Sequence, residues 1–461
     1  METLWPLWMF LVFDVLRYLG VDLLVCLAEL RARWQASAAP PPATDVQHGP
    51  LVSVVMAGHN EAETMPLTLL SLREQTYQNL EIIVVDDGST DGTAEAVAAQ
   101  LRGGYLVGPG GYGRRVPCRL VRLSQRNGKA GALNLGLLLA RGEIIVYVDA
   151  DTTFDRDAIA AVVRPLVADP SVGAVGGNLV VRNAGQNLLT RVVALEYLLS
   201  IGIGRRFRSQ VNLLHVISGA FGAFRRDLVE AVGGHAPTSG NDGDLTLRVR
   251  RFSPRIRFAH DALCLTKSPA TLRGLIKQRR RWDRNLIKNK LRRHRDLLDP
   301  RSAGFRPINA VLILDALLFN VVLGARWLIA FLYTLCVRPQ AVPSLVLLAY
   351  FLELGLSAAQ LALAHWLQPT EAAARRAHWL HLPLYPIYKA GFRLVRLYAY
   401  VEELARHASY SDAFAPAHVS RAALDYDHRS KWPLRSLLAA QLWPFGRRPP
   451  HRPVASDHAT T

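Results

Sequence analysis

Three acidic sites and one basic segment occur in a fixed order along the chain, and their residue types suit chemistry on a phosphorylated substrate. Asp86-Asp87 comes first, Asp149-Ala150-Asp151 second and Asp242 third, followed by Gln278-Arg279-Arg280-Arg281-Trp282. Carboxylates can ligate a hard cation or accept a proton. Arginine can pair with phosphate oxygens, and tryptophan can stack on a sugar ring.

Asp149 and Asp151 follow an apolar run, residues 144–148, that predicts a buried strand. Alternate residues at a strand end can point to the same side, so the two carboxylates could together hold Mg²⁺ or Mn²⁺. Such cations prefer oxygen ligands and keep substrate phosphates in their coordination shell. A solvated turn is the alternative, because a lone Asp-x-Asp often occurs by chance. We expect a metal site, because an unpaired carboxylate at the end of a buried strand is costly.

Polar residues also follow two earlier apolar runs. His59-Asn60-Glu61 comes after the first, and Asp86-Asp87 after the second. Asp87 is the candidate contact for the uracil or ribose of a nucleotide. A helix cap is the simpler interpretation of this segment, since residues 89–91 suit an N-cap, and the two interpretations are compatible.

Lys129 lies in Asn127-Gly128-Lys129-Ala130, at the start of a helical pattern. A helix N-terminus that carries glycine and lysine suits a phosphate group, although the spacing is not that of a Walker loop. The predicted ligands of a nucleotide-sugar are His59, Asn60, Glu61, Asp86, Asp87, Lys129 and Asp149.

The basic segment could form the acceptor end of such a site. Arg281 lies about one helical turn from Gln278, and Trp282 adjoins it. These three residues are the candidates for binding an acceptor or a diphosphate. A basic amphipathic helix on a membrane surface is the alternative, because Lys277 and Arg284 lie close by.

The elements that must position these residues follow an alternating pattern. Short apolar runs at 51–56, 80–85, 119–123 and 144–148 are separated by helical patterns, which predicts a mostly parallel α/β sheet. Ligands of such sheets bind beyond the carboxyl ends of the strands. The first two acidic sites fall at such ends.

Apolar segments surround this predicted domain. Residues 4–30 are long enough to span a bilayer, but Asp14, Arg17 and Asp22 interrupt them, so a signal anchor and an interfacial helix both fit. Arg31 and Arg33 place the C-terminal end of this segment in the cytoplasm. A Pro-rich linker is predicted at 36–50.

Residues 308–335 and 341–367 are each long enough to span a membrane, and Asp315, Arg326 and Glu353 in them should face other helices or a cavity. Residues 380–402 carry a basic stripe of Lys389, Arg393 and Arg396. It could lie in the membrane interface, which we favour, or line a polar conduit. The Pro- and Arg-rich tail beyond about residue 443 should be disordered.

Composition limits the partners. The formal net charge is +18, with 55 Lys and Arg against 37 Asp and Glu, which favours an anionic partner. Membrane lipids and nucleotide-sugar phosphates are expected, because the basic residues crowd against apolar segments. Nucleic acid is not expected, because the basic helix lacks a recognisable base-contacting motif. Four dispersed cysteines indicate neither a zinc site nor a disulfide framework, and favour a reducing compartment.

The ordered acidic sites and the Gln-x-x-Arg-Trp signature resemble the membrane-embedded processive family 2 glycosyltransferases. Members of this family make poly-N-acetylglucosamine, chitin oligosaccharides, hyaluronan and cellulose. The resemblance covers about residues 51–290 and implies a GT-A-type nucleotide-sugar-binding domain, an α/β fold with a mostly parallel sheet. Transmembrane and interfacial helices should flank this domain.

The resemblance also implies a reaction. Asp242 would take the proton of the acceptor hydroxyl in an inverting transfer, while the metal stabilises the departing nucleotide diphosphate. Simple capping roles for Asp242 and Asp244 are the alternative. In the family a loop like Ser218-Gly219-Ala220 borders the acceptor. The chain departs from the family at Asn241, where the family has Glu. It also departs in Thr266-Lys267-Ser268-Pro269, where the family usually has an acidic residue before the Pro.

The predicted function is metal-dependent transfer of sugar from a UDP-sugar to a growing β-linked polysaccharide. Single transfer to a lipid acceptor is one alternative, and an inactive membrane scaffold or regulator is another. The protein is expected to be a multi-pass protein of a bacterial plasma membrane with a cytoplasmic catalytic domain. The sequence does not indicate whether accessory export or regulatory subunits take part. The predicted divisions are an anchor at 1–35, a linker at 36–50, a catalytic domain at 51–300, membrane helices at 301–405 and a basic tail at 406–461.

Overall fold

The computed structural model describes most of the chain. The described residues are 15–38, 49–102, 104–109, 113–252, 255–302, 304–367, 372–410 and 416–429. Parts of three predicted segments lie outside them: residues 1–14 of the N-terminal apolar segment, 39–48 of the linker, and the tail beyond residue 443.

The strands are β1 (Val52–Gly58), β2 (Leu80–Asp86), β3 (Tyr105–Val107), β4 (Arg114–Val116), β5 (Cys118–Arg122), β6 (Ile144–Asp149), β7 (Thr153–Phe154), β8 (Val172–Val181), β9 (Phe221–Arg225) and β10 (Arg255–Thr266). The α-helices are α1 (Leu16–Ala38), α2 (Met65–Arg73), α3 (Thr93–Leu101), α4 (Gly128–Leu139), α5 (Ala158–Ala168), α6 (Leu188–Tyr197), α7 (Gly204–Gln210), α8 (Arg226–Ala231), α9 (Asn241–Phe252), α10 (Leu272–Ile287), α11 (Pro307–Leu317), α12 (Leu323–Val337), α13 (Val342–Leu367), α14 (Ala372–His381), α15 (Tyr385–Arg406) and α16 (Ala417–Arg429). Short π-helical segments join neighbouring helices at Leu198–Ile203, Lys288–Arg293 and Leu318–Val322.

Eight strands form one sheet in the order β5-β2-β1-β6-β9-β8-β10-β7. Strands β5, β2, β1 and β6 are parallel, whereas β9 runs antiparallel to both β6 and β8. The four apolar runs identified in the sequence correspond to β1, β2, β5 and β6. The predicted mostly parallel α/β fold is therefore confirmed, with an antiparallel insertion beyond β6 that the sequence pattern did not indicate.

The central strands are buried on both faces, which explains why they are continuous Val- and Ile-rich runs instead of alternating ones. Every residue of β2 is buried, as are six of the seven in β1. Helix α4 packs against them closely: a Cβ on Gly136 would lie 2.3 Å from a Val55 methyl carbon. This packing fixes the start of α4 relative to the carboxyl ends of the strands.

Two helical segments among the described residues are long and apolar enough to cross a membrane, Pro307–Val337 and Pro339–Leu367. Both expose most of their apolar surface; Ile329 and Phe351, for example, are 66% and 61% exposed. The predicted charge in the second segment faces protein, since Glu353 is buried and pairs with Lys389 of α15.

The basic stripe of α15 also faces protein. Arg393 lies over the Trp327 ring at 5.1 Å. Arg396 donates to Asn320 Oδ1 at 3.3 Å and lies 3.3 Å from Asp283. The stripe therefore joins α15 to the first apolar segment and to α10, and its placement in a membrane stays a prediction.

Candidate functional site

Three neighbouring parallel strands bring the predicted nucleotide-sugar ligands to one edge of the sheet. Strand β1 lies between β2 and β6, with Gly58 opposite Asp86 and Ala57 opposite Asp149. The residues that follow these strands are therefore neighbours in space. Open α/β sheets bind their ligands at this edge.

The loop His59-Asn60-Glu61 after β1 is hydrogen-bonded to the loop after β2. The His59 Nδ1 lies 2.9 Å from the Asp87 carbonyl oxygen, and the Asn60 backbone N–H donates to the Ser89 hydroxyl at 2.9 Å. The Thr90 backbone N–H donates in turn to Asn60 Oδ1 at 2.9 Å. Asn60 has a φ of 58°, a left-handed conformation that asparagine tolerates better than most residues. His59 and Asn60 thus fix the relative position of the two loops.

Asp86 and Asp87 have different environments. Asp86 is fully buried, accepts a hydrogen bond from the Ser89 backbone N–H at 3.1 Å and lies 3.8 Å from Arg122. Asp87 Oδ1 accepts from the Asn127 backbone N–H at 2.7 Å. Burial raises the pKa of Asp87, and the backbone N–H groups at the start of α4 oppose that shift. Asp86 therefore shapes its own loop, whereas Asp87 connects it to the predicted phosphate-binding helix.

Lys129, in the first turn of α4, lies among three of the predicted site carboxylates. It forms an ion pair with Asp149. The surrounding protein partly desolvates the Lys129 ammonium group, whose side chain is 44% exposed, and this lowers its pKa. The carboxylates of Asp149, Asp242 and Asp151 outweigh that effect and raise the pKa. The predicted phosphate ligand, the predicted metal ligands and the predicted base are thus brought together.

Asp151 shows that the cluster is short of positive charge. The pKa of Asp151 is raised to about 6, mainly by burial and also by the carboxylates of Asp149 and Glu61, and Lys129 offsets only part of this shift. A divalent cation would relieve this repulsion. Among the described residues no group of three or more His, Cys, Asp or Glu is placed to hold a metal by itself. The two carboxylates therefore fit a cation that takes further ligands from a diphosphate.

Asp242 lies in the first turn of α9, and the loop that carries Gly219 contacts both Asp242 and Lys129. The Gly219 N–H donates to Asp242 Oδ2 at 3.4 Å, and the Gly243 N–H donates to Oδ1 at 2.8 Å. A Cβ on Gly219 would lie 3.3 Å from the Lys129 Nζ and 3.7 Å from the Asp242 Cβ. The glycine therefore leaves open the space between the ammonium group and the candidate base.

Asp244, two residues further on, has a structural environment. It is fully buried and accepts from the Arg248 Nε at 2.8 Å. Arg293 Nη1 and His294 Nε2 each lie 3.0 Å from its Oδ1. Burial alone would raise the pKa of Asp244, but Arg248, Arg293 and His294 hold it well below its usual range. Asp244 thus ties α9 to the segment that follows α10.

Helix α10, which carries the Gln-x-x-Arg-Trp signature, is anchored beside the candidate base. The Asn285 side-chain amide donates to the Ser239 hydroxyl at 3.3 Å. The Lys288 Nζ donates to the Thr238 hydroxyl at 2.7 Å. These bonds hold the end of α10 and the start of the π-helical segment after it against the loop that immediately precedes Asp242.

The signature residues themselves lie on this anchored helix. Gln278 Oε1 is buried and accepts no hydrogen bond from the described residues, Arg281 is partly buried, and Trp282 is 42% exposed. The Arg279 guanidinium lies 4.6 Å from the Trp282 ring centroid and pairs with Glu196 at 2.5 Å. A role for Gln278, Arg281 and Trp282 in binding an acceptor or diphosphate stays a prediction.

Two acidic residues that sequence reasoning did not identify hold α10 in place. Glu196 binds Arg279, and Glu402 of α15 accepts from the Arg280 Nη2 at 2.8 Å and from the Arg284 Nε at 2.9 Å. These partners lie far away along the chain, so no local pattern could have identified them.

Two family models match the chain. Residues 53–233 match the model described as glycosyl transferase family 2, and residues 144–358 match the glycosyl transferase family group 2. The chain is 33% identical over 233 residues to a poly-beta-1,6-N-acetyl-D-glucosamine synthase of Staphylococcus epidermidis. It is 32% identical over 235 residues to the synthase of that name from Staphylococcus aureus strain COL. Both alignments cover 50% of this chain and 53% of the relative, so the chain spans about half the length of the curated relatives it matches.

A solved structure agrees with these matches. The mannosyltransferase PcManGT from Pyrobaculum calidifontis, in complex with GDP-Man and Mn²⁺, resembles the chain with a TM-score of 0.53 and 25% identity. The match covers 85% of this chain and 96% of that one. The predictions of a family 2 glycosyltransferase and of a GT-A-like fold are confirmed: the chain carries a family 2 glycosyltransferase domain of GT-A-like architecture. Processivity and embedding in a membrane stay predictions.

Proposed function

We propose that this family 2 glycosyltransferase transfers a sugar from a UDP-sugar to a growing β-linked polysaccharide, with inversion and with Mg²⁺ or Mn²⁺. The observation that carries the proposal is the meeting of Lys129, Asp149 and Asp242 around Gly219. A phosphate-binding cation, a metal-binding carboxylate and a candidate base must lie this close together for a sugar held by its diphosphate to react.

Each residue has a distinct part. Asp87 holds the nucleotide end, and Lys129 pairs with the diphosphate. Asp149 and Asp151 would hold the metal, which supplies positive charge to the departing diphosphate. Asp242 accepts the proton of the acceptor hydroxyl. The oxygen of that hydroxyl forms a bond to the anomeric carbon of the sugar, while the bond between that carbon and the phosphate oxygen breaks. Attack from the side opposite the leaving group inverts the configuration.

The polymer product and the membrane setting rest on other observations. The matched relatives are bacterial and are named for polymer synthesis. Two candidate spanning segments follow the domain, which supports a catalytic domain on the cytoplasmic face of a bacterial membrane. The anchored helix α10 would present Gln278, Arg281 and Trp282 to the acceptor, where Trp282 can stack on a sugar ring.

Substitution of the base tests the proposal. Asp242→Asn keeps the size of the side chain but removes the proton acceptor, so transfer from radiolabelled UDP-N-acetylglucosamine should fall by about 10²–10⁴-fold. Binding of UDP should stay within about twofold, because the nucleotide residues lie on other loops. The control is Asp261→Asn, a surface carboxylate that pairs with Arg164. Wild-type rates in the Asp242→Asn protein would refute the assignment.

Sizing the product separates the alternatives. A panel of UDP-sugars with Mn²⁺, followed by chromatography of the product, should give long chains. One sugar added to an extracted lipid would refute processivity. No transfer or hydrolysis with any UDP-sugar would instead support an inactive scaffold.

A further inference from the structure

Asn134 joins the helix that carries Lys129 to the turn that precedes α9. It lies in the middle of α4, whose first turn contains Lys129. The Asn134 Nδ2 donates to the His235 carbonyl oxygen at 2.8 Å, and the His235 backbone N–H donates to the Asn134 Oδ1 at 2.7 Å. One side-chain amide thus pairs with both polar backbone groups of a single residue, which requires a donor and an acceptor together.

The turn itself is shaped to receive this side chain. Gly233 and Gly234 have φ values of 78° and 70°, in the left-handed region that glycine adopts without a steric penalty. A Cβ on Gly234 would lie 2.4 Å from the Asn134 Oδ1, which is too close for two nonbonded atoms. The two glycines therefore let the backbone approach Asn134 closely enough for both hydrogen bonds.

Helix α9 binds the same turn through Arg248. The Arg248 Nη1 donates to the Val232 carbonyl oxygen at 2.6 Å, and its Nη2 donates to the Gly234 carbonyl oxygen at 2.7 Å. Its Nε donates to the Asp244 Oδ2 at 2.8 Å. Asp244 lies in the first turn of α9 together with Asp242. The turn at 232–235 therefore connects α4 to the part of α9 that carries the proposed base.

The ring of His235 contacts a third element. It packs edge-on against the Tyr147 ring, with the two ring centroids 4.5 Å apart. Tyr147 belongs to β6, which ends at Asp149. The turn at 232–235 thus contacts the three elements that carry the proposed phosphate ligand, metal ligand and base.

These three elements depend on the turn to different degrees. Strand β6 is paired with β1 and β9, and α4 packs closely on β1 through Gly136, so the sheet fixes both. The start of α9 lies outside the sheet, and the bond from the Gly219 N–H to Asp242 is long, at 3.4 Å. Loss of the Asn134 bonds should therefore displace the start of α9 and leave α4 in place.

We propose that Asn134 is a positioning residue for sugar transfer, which sets the distance between Lys129 and Asp242 through the turn at 232–235 and Arg248. The inference rests on the proposed function, in which Lys129 pairs with the diphosphate and Asp242 takes the acceptor proton. Asn134 acts through these neighbours, so its loss should slow the transfer step and leave donor binding nearly intact.

Asn134→Ala in the full chain, compared with Asn79→Ala, tests the proposal. The Asn79 Nδ2 likewise donates to a backbone carbonyl oxygen, that of Gly49, at 2.8 Å. Asn79 precedes β2 and so lies at the opposite edge of the sheet from the site. Transfer from UDP-N-acetylglucosamine at saturating donor should fall about tenfold in Asn134→Ala, with UDP affinity within about twofold of the wild type. Asn79→Ala should keep the wild-type rate. An unchanged rate in Asn134→Ala, or equal losses in the two variants, would overturn the proposal.

Hydrogen exchange supplies a readout that does not depend on catalysis. The backbone amides of residues 241–246 should exchange faster in Asn134→Ala than in the wild type or in Asn79→Ala, because the start of α9 loses an anchor. Unchanged exchange in this segment would show that Asn134 does not hold α9. A wild-type protein without transfer would refute the proposed function, and the exchange measurement would still decide whether Asn134 holds α9.

Arg248→Lys tests the next link. Lysine keeps a positive charge beside Asp244 but lacks the planar guanidinium that donates to both carbonyl oxygens, so the rate should again fall with little change in UDP affinity. The double variant Asn134→Ala/Arg248→Lys should lose about as much rate as the slower single variant, since both act through one turn. Losses that multiply would show that the two residues act separately. If Asn134→Ala does not fold, Asn134→Asp takes its place in every comparison, because it keeps the acceptor for the His235 N–H and loses only the donor.

Discussion

Gly219 should control the reaction through the space it leaves between Lys129 and Asp242. In Gly219→Ala the new Cβ would lie 3.3 Å from the Lys129 Nζ, a few tenths of an ångström tighter than an ordinary contact. The Nζ ends a flexible side chain and can move aside, so transfer should fall by about tenfold, or about 1.4 kcal/mol. Gly219→Val adds two methyl groups at the same point. A displacement of about 1 Å near the reacting atoms can cost about 100-fold in rate.

The assay is transfer from UDP-N-acetylglucosamine at saturating donor, with UDP affinity measured in parallel. The rate should fall in the order Gly, Ala, Val. UDP affinity should fall less than the rate, because Lys129 is displaced from the diphosphate whereas Asp87 and the loop after β2 are untouched. Gly185→Ala is the control, since no atom lies within 4 Å of its added Cβ. A Gly219→Val protein with a rate within threefold of the wild type would show that the open space plays no part. An equal loss of UDP affinity would show that the loop acts on the donor instead.

Two further predictions concern the framework of the site. Glu402→Gln removes the carboxylate that binds Arg280 and Arg284, so α10 should loosen, with a raised KM for acceptor and little change in UDP affinity; an unchanged KM would count against this anchor. Asp244→Asn leaves buried arginines unpaired and should destabilise the protein by about 3–5 kcal/mol, seen as a lower melting temperature than in Asp261→Asn. The pKa of Asp244 is depressed on folding, so its stabilisation is complete above the unfolded pKa of about 3.9 and is lost as the pH falls towards the folded value. The difference in melting temperature between the wild type and Asp244→Asn should therefore be constant from about pH 7 to pH 5 and should shrink in stronger acid. A difference that already shrinks by pH 6 would refute the assignment of this stabilisation to the Asp244 carboxylate.

The parallel half of the sheet could be predicted because its strands are buried on both faces, and residues 80–85 are one unbroken apolar run. Parallel strands end at the same edge of a sheet, so the placement of Asp86 and Asp149 at one edge followed from the strand assignments. The order β2-β1-β6, which brings them near each other, did not. Strand β9 could not be placed in this way. It is short and runs antiparallel between β6 and β8, and its position depends on long-range packing.

The carboxylates at the start of α9 show a second limit of sequence reasoning. Asp242 and Asp244 are two residues apart, so on a helix they point in nearly opposite directions. Either one could have faced the site, and both suited a cap. The structure separates them: Asp242 contacts the Gly219 loop, while Asp244 is enclosed by Arg248, Arg293 and His294.

The sequence around helix α10 could not show whether its positive charge serves substrate binding or a membrane surface. Its arginines could have faced lipid or substrate, and the acidic groups that decide this lie in α6 and α15. Glu196 pairs with Arg279, and Glu402 pairs with both Arg280 and Arg284. These arginines therefore hold α10 against α6 and α15. The net charge of the chain therefore includes arginines that are paired within the protein and serve its framework. Lys129, the candidate ligand of the diphosphate, lies on a different helix, so net charge alone could not distinguish the two roles.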